Sequence, residues 1–250
     1  MSDQSLRDDA EREWWAAWRK EDYSWDGLQR KPLHGWRVAD GVLVEAHAAP
    51  AGATRATLQD YWRDQKDALI EGDGRKWTIA HVPMHWRDGS PAKAGWAEAE
   101  REQLQSLVRA KLEAVDLRVH PQPQDAPEGR NFRAQLEGCI LFNSSYQAHC
   151  AYAAKRIFFE EDFTVMRLRA GSDFSDAYFK QLASWEDITG TGECQFNAAR
   201  FLETAEFSRI TFPGKVDFTD AEFFGVAKFY GTQFEGEAVF DRSQFRSNVW

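Results

Sequence analysis

Two histidines four residues apart, His81 and His85, are the side chains best placed by spacing to do chemistry. At that spacing on a helix, two imidazoles can hold a metal ion on one face. Here they stand in His81-Val82-Pro83-Met84-His85-Trp86, and a proline between them removes the helix that would align them. A strand or loop could still bring them together. No Cys, Asp or Glu stands at metal-ligand spacing around them, so the expectation is packed or exposed imidazoles and no metal or cofactor. Asp60 and Glu71 are the acids that an enzyme built on these histidines would have to recruit, and nothing in the spacing joins the four. The chain has no Gly-rich phosphate loop before a helix, no Gly-x-Ser-x-Gly elbow and no Cys-x-x-Cys pair. Cys139, Cys150 and Cys194 make no even disulfide framework and read as small buried thiols in a reducing cytoplasm. No catalytic residue is assigned.

The aromatic residues divide the chain. All 18 Phe lie at or after Phe132, whereas nine of the 11 Trp lie at or before Trp96. Such a change implies two cores built on different rules, a small Trp-rich α+β domain over residues 1–130 and a second domain over 131–250. The Pro-rich stretch His120 to Arg130 marks the seam. The net charge of −9 speaks for solubility and against a general affinity for nucleic acid, so no direct nucleic-acid binding is expected. No apolar run is long enough to span a bilayer, and no signal-peptide pattern is seen.

In the first domain, Ser5 and Asp8 can start a helix along which Leu6, Ala10, Trp14, Ala17 and Trp18 recur at helical spacing, a stripe that ordinarily faces a core. Asp40-Gly41 between Trp36, Val38, Val42 and Val44 signals a hairpin. A second helix is expected from about Thr54 to Ile70, ended by Gly72 and Gly74, followed by a short strand through Trp77, Ile79 and His81. Ser90-Pro91 reads as the start of a third helix, with Trp96, Leu104, Leu107, Val108, Leu112 and Val115 inward.

The second domain carries a repeat written in phenylalanine. Alternate steps of five and six residues land on Phe163, Leu168, Phe174, Phe179, Trp185, Gly190, Phe196, Phe201, Phe207, Phe212, Phe218, Phe223, Phe229, Phe234, Phe240 and Phe245, with Gly190 the one break. Backward steps reach Ile157, Tyr152, Tyr146 and Leu141. Two residues before most landings sits a small side chain, as in Ala177, Ala199, Ala221 and Ala227. An α-helix would scatter these rings around its surface, whereas in extended chain residues two apart share a face. Each unit is therefore a short strand and a corner, and units this short must stack to bury their apolar face. Four units sum to twenty-two residues. A four-sided coil of that length puts Phe174, Phe196, Phe218 and Phe240 in one column and Phe179, Phe201, Phe223 and Phe245 in the next. Phe163, Trp185, Phe207 and Phe229 form a third, and Leu168, Gly190, Phe212 and Phe234 a fourth. About five coils at about 4.8 Å each give a rod near 24 Å long.

Segments such as Ala221-Glu222-Phe223 and Ala199-Arg200-Phe201, with a small residue, a variable one and a central Phe, resemble the pentapeptide-repeat proteins. The alternating extra residue resembles the eleven-residue double-repeat variety of that family. The resemblance covers residues ~132–250 and implies a right-handed, four-sided parallel β-helix with Phe inside. It implies little about activity, because members serve varied roles.

The functional expectation is a non-enzymatic interaction or scaffold protein that presents its outer walls to a protein partner. Two alternatives stand beside it. The resemblance admits an acidic mimic of duplex DNA that binds a type II topoisomerase. The N-terminal domain could instead be an unrecognised enzyme or sensor. The repeat is still in register at Phe245, five residues before Trp250, so a fragment of a longer protein or an end-to-end homodimer through the C-terminal coil is expected, with a fold-over plugged by Trp250 as the third option. Any membrane association would come from sequence beyond Trp250.

Overall fold

The computed structural model describes residues 3–33, 36–39, 42–45, 56–115, 133–142, 144–146, 150–165, 168–169, 171–190 and 192–250. The seam at His120 to Arg130 lies outside them. From residue 134 to 245 the chain winds into a β-solenoid of about five turns with ~22 residues per coil. Four walls of short parallel strands enclose it. The longest holds six strands, Ile140–Leu141, Phe158–Phe159, Tyr178–Phe179, Arg200–Phe201, Glu222–Phe223 and Gln244–Phe245. A second holds Ser144–Tyr146, Phe163–Val165, Ala183–Trp185, Ala205–Glu206 and Ala227–Lys228.

The rings stack as the repeat requires. Phe174, Phe196, Phe218 and Phe240 follow one another at centroid distances of 5.5, 4.9 and 5.0 Å with nearly parallel planes. Phe179, Phe201, Phe223 and Phe245 do so at 4.9, 4.8 and 4.7 Å. Trp185, Phe207 and Phe229 form a third column at 4.4 and 5.2 Å, and Phe212 and Phe234 meet at 5.4 Å. Between columns the rings meet edge to face, as Phe196 and Phe207 do at 81°. Isolated aromatic pairs favour that geometry.

The first coils depart from the constant step. Tyr178 pairs with Arg200 and Arg200 with Glu222, twenty-two residues apart, but Phe158 pairs with Tyr178 at twenty and Ile140 with Phe158 at eighteen. Phe163 therefore lies beside Ala183 rather than Trp185, and Leu168 beside Ile188 rather than Gly190. Phe159, not Ile157, leads to Phe179. Because side chains alternate with a period of two, a coil shortened by two residues keeps its inward set inward. Phe163 and Leu168 are accordingly buried, and Phe163 still touches Trp185 at 5.2 Å. At the last coil, Phe229 and Phe240 are only partly buried, and Phe234 and Phe245 are exposed at 37% and 38%, since no ring covers their far side. Trp250 pairs through its backbone with Ala227 and Phe229, but its side chain is 67% exposed and plugs nothing.

One corner of every coil turns through the left-handed region, at Gly138, Arg156, Asp176, Ala198, Asp220 and Arg242. Only glycine occupies it without steric cost.

The N-terminal part forms a layer against the first coils. Helix α1 (Asp3–Glu21) buries Ala10, Trp14 and Trp18, and the short α2 (Trp25–Arg30) is capped by Ser24. Strands β1 (Trp36–Ala39) and β2 (Val42–Glu45) pair antiparallel across a two-residue connection, as the Asp-Gly signal requires. The expected helix from Thr54 to Ile70 is only α3 (Leu58–Trp62) with a 3₁₀ turn to Gln65. Gly72 and Gly74 do not end a helix. They sit in a hairpin of β3 (Ile70–Gly72) and β4 (Arg75–Trp77), turned by Asp73 and Gly74, both at positive φ. Ile79 and His81 are beyond that strand. Helix α4 (Glu98–Glu113) begins after Ala97, not at Ser90-Pro91, with Glu100 closing back on the Ala97 amide, and buries Leu104, Val108 and Leu112.

Two measurements check this architecture. In urea titrations, Phe218→Ala should cost about 3–5 kcal/mol and Phe245→Ala less than half as much. Equal losses would contradict the stacking order. Ala198→Gly, which relieves a left-handed alanine, should leave stability unchanged or raise it by up to about 1 kcal/mol, and a clear loss would show that the corner is not strained.

Candidate functional site

The four residues first considered for chemistry do not converge. His81 is fully buried between the Tyr23 ring, stacked at 6.0 Å, and the Trp62 ring, edge-on at 5.4 Å. Its Nε2 faces the Glu137 carbonyl at 3.1 Å, and a carbonyl only accepts, so Nε2 carries the proton. Nδ1 then accepts from the Thr78 hydroxyl at 2.7 Å. Cys139 Sγ lies 3.7 Å from Nε2, a Cys–His pair in outline, but that nitrogen has no lone pair to offer. Burial pushes the Cys139 thiol up and lowers His81 from 6.5 to about 3, so both stay neutral. His85 is exposed on a different surface, beside Arg19. Asp60 closes the N-terminus of α3 by accepting from the Thr57 amide at 2.6 Å, and Glu71 pairs with Lys76 on the β3–β4 hairpin. Among the described residues no group of three His, Cys, Asp or Glu is placed to hold a metal ion.

What the fold does display is wall. The outward residues of the six-stranded wall read Ile140, Phe158, Tyr178, Arg200, Glu222 and Gln244. Phe158 and Tyr178 stack at 5.1 Å and would face water, but α1 lies over them. Trp14 meets both rings at 5.2 and 5.8 Å, and Trp15 meets Phe158 at 4.9 Å. The helix runs along the coil axis. Trp18 Nε1 donates to the Gly138 carbonyl, Arg156 to the Ala17 carbonyl, Trp14 Nε1 to the Asp176 carbonyl and Arg200 to the Ala10 carbonyl, while Arg7 pairs with Glu203 at 2.5 Å. These contacts climb one coil for about each helical turn. A pitch of about 5.4 Å against a coil spacing of about 4.8 Å makes that match possible.

Helix α4 lies against strand Arg133–Gln135 of another wall. The second wall shows Thr164, Ser184, Glu206 and Lys228 in one outward column. The charges along the walls are paired from coil to coil, Arg156 with Asp176, Lys180 with Glu160, Arg200 with Glu222, Glu206 with Lys228 and Asp220 with Arg242. A cleft of about 600 Å³ opens where the start of α4 crosses a solenoid corner, between Met84, Ala94, Phe142 and Arg101 on one side and Glu160, Glu161 and Asp162 on the other. Arg101 lies 4.1 Å over the Phe142 ring and bonds Glu161 at 3.1 Å, so the cleft is partly tied shut.

Sequence reasoning missed the covered wall, though a signal was there. Phe158 and Tyr178 stand at outward positions where later coils carry Arg200 and Glu222, and an apolar residue facing out asks for a cover. It also missed Lys93, which nothing in its neighbourhood of Pro91, Ala92 and Ala94 marks as buried.

The neutral, buried His81 gives a pH prediction. An unfolded imidazole takes up a proton below its ordinary 6.5, while the native one resists protonation down to about 3. The contribution of His81 to stability is therefore complete only above pH 6.5 and falls by about 1.4 kcal/mol for each pH unit below it. Glu21, Asp22, Glu206 and Asp217, held below the usual carboxylate range, act further down. Urea midpoints should drop between about pH 6 and pH 4.5, and His81→Gln should flatten that drop. An unchanged slope in the variant would contradict the assignment.

Among the described residues, no helix is long and apolar enough to cross a membrane. No curated protein and no solved structure matches the chain. The family model described as Pentapeptide repeats (9 copies) matches residues 207–250, the span in which the stacked rings and the twenty-two-residue register are most regular. Residues 207–250 are thus matched as pentapeptide repeats, and the earlier coils continue the same four walls of the solenoid.

Proposed function

We propose that this protein is a non-enzymatic interaction scaffold whose solenoid walls receive a protein partner. The observation that carries the reading is α1. One wall already binds a helix, through a stripe of Trp and small residues and through Arg156 and Arg200 on its backbone carbonyls. A surface with the same rung spacing on its other sides can present residues to a partner in the same way. The uncovered column Thr164, Ser184, Glu206 and Lys228 is the wall we assign to that role. The buried cysteines Cys139, Cys150 and Cys194 are in keeping with a reducing cytoplasm as its location.

Mimicry of duplex DNA is less well supported. Such a mimic needs a continuous negative field, whereas the charges here alternate in sign from coil to coil and pair off. The test is affinity capture with wild-type protein and with Thr164→Arg and Ser184→Arg. A partner held by wild type and lost by both variants, with unchanged urea midpoints, is the expected result. Retention by both variants would remove this wall from the proposal.

A further inference from the structure

Among the described residues, Lys93 is the only lysine or arginine in the buried set, and it is fully out of water. It lies where the N-terminal layer meets the first coil. Strand Ile140–Leu141 is the end strand of the six-stranded wall, so its outer edge needs partners from elsewhere. The layer supplies them. The Ile140 amide donates to the Ala80 carbonyl at 2.8 Å, and Lys93 Nζ donates to the Ile140 carbonyl at 2.5 Å and to the Ala80 carbonyl at 3.1 Å. Among the described residues no carboxylate faces the amine. The titratable groups around it are His81, from the segment leading to Met84, and Cys139, from the first coil, both held neutral by burial. Lys31 reaches His81 electrostatically from the end of α2, and Glu137 lies beyond Cys139, where it accepts from the Tyr23 hydroxyl. The Trp96 ring, 5.1 Å away, offers a cation one weak attraction.

The donor count matches a neutral amine. An –NH₂ group has two N–H bonds, and two carbonyls take them. An ammonium would carry a third N–H and a full charge into a site with no opposite charge, at a desolvation cost that one ring face does not offset. We propose that Lys93 is an uncharged amine in the native protein, a clasp between the N-terminal layer and the first coil that tightens as pH rises through the neutral range.

Burial alone pushes this amine well below its ordinary 10.5. Unfolding frees it to bind a proton, so the unfolded chain holds one proton more and stability increases with pH. His81 adds the same sign below 6.5. Above about pH 9 the sign reverses, because unfolded Cys139 and then Tyr23, Tyr61 and Tyr178 shed protons that their buried forms keep. The window from about pH 7 to pH 8.5 belongs to Lys93.

The experiment is a series of urea titrations of the full chain across that window, with wild type and Lys93→Met. The wild-type unfolding constant should fall about tenfold per pH unit, and the slope should vanish in the variant. A flat wild-type profile, or a slope that survives the substitution, overturns the proposal. If Lys93→Met does not fold, ¹⁵N-lysine NMR of the wild type at neutral pH decides directly. An amine resonance for Lys93 Nζ supports the proposal, and an ammonium resonance ends it.

Discussion

The distance between hydrogen-bonded strands, about 4.8 Å, sets the terms for this protein. Each coil bonds through its backbone to the coils on both sides, as Phe218 donates to Val239 in the next and Glu222 to Ala199 in the one before. Every side chain is thereby repeated at that spacing along the axis. For the inward rings this means near-parallel stacks at 4.7–5.5 Å in the columns of Phe174 and Phe179. A column alone would be a poor use of aromatic quadrupoles. Its rings are reconciled by the neighbouring columns, which meet them edge-on, so the square cross-section is also an electrostatic solution for packing four aromatic files together.

The same spacing explains how an α-helix and a β-coil fit side by side. One helical turn of α1 meets about one coil, so Trp18, Trp14 and Ala10 can each find a rung, and the guanidinium groups of Arg156 and Arg200 reach helix carbonyls at corresponding heights. A helix set across the strands at another angle would meet rungs out of phase. The N-terminal layer is thus tied to the solenoid in two ways, along one wall by α1 and at the edge of the first coil by Ala80 and Lys93.

The solenoid was legible because its determinant is periodic. Phe196, Phe201, Phe207, Phe212, Phe218 and Phe223 each say the same thing about the backbone, and agreement over many units outweighs any local ambiguity. The earlier coils were misaligned because a loss of two residues leaves no trace in an in–out pattern of period two. Phe163 is inward whether it lies beside Ala183 or Trp185. In the N-terminal layer the determinants are contacts between segments far apart in the chain. Asp73-Gly74 makes a turn rather than a helix end because β3 and β4 find each other. His81 is buried because Tyr23, Trp62 and Glu137 arrive from three places. No spacing within the segment records that.

Coil repetition also decides what the walls can recognise. A charged side chain in one coil has its counterpart within ion-pair reach in the next, and this chain places opposite signs there, at Glu206 and Lys228, Asp220 and Arg242, and Arg200 and Glu222. Like signs stacked at that distance would repel along the whole rod. Alternation removes the repulsion and with it most of the long-range field, so the walls cannot act chiefly by electrostatic steering. On the scaffold reading proposed above, recognition would rest on shape and on short-range hydrogen bonds at uncharged rungs such as Thr164 and Ser184. The helix already seated on the adjoining wall is held in large part by such contacts, with Trp14, Trp18, Arg156 and Arg200 all engaging backbone carbonyls. A partner that reads backbone and shape at fixed intervals is the kind this architecture can discriminate.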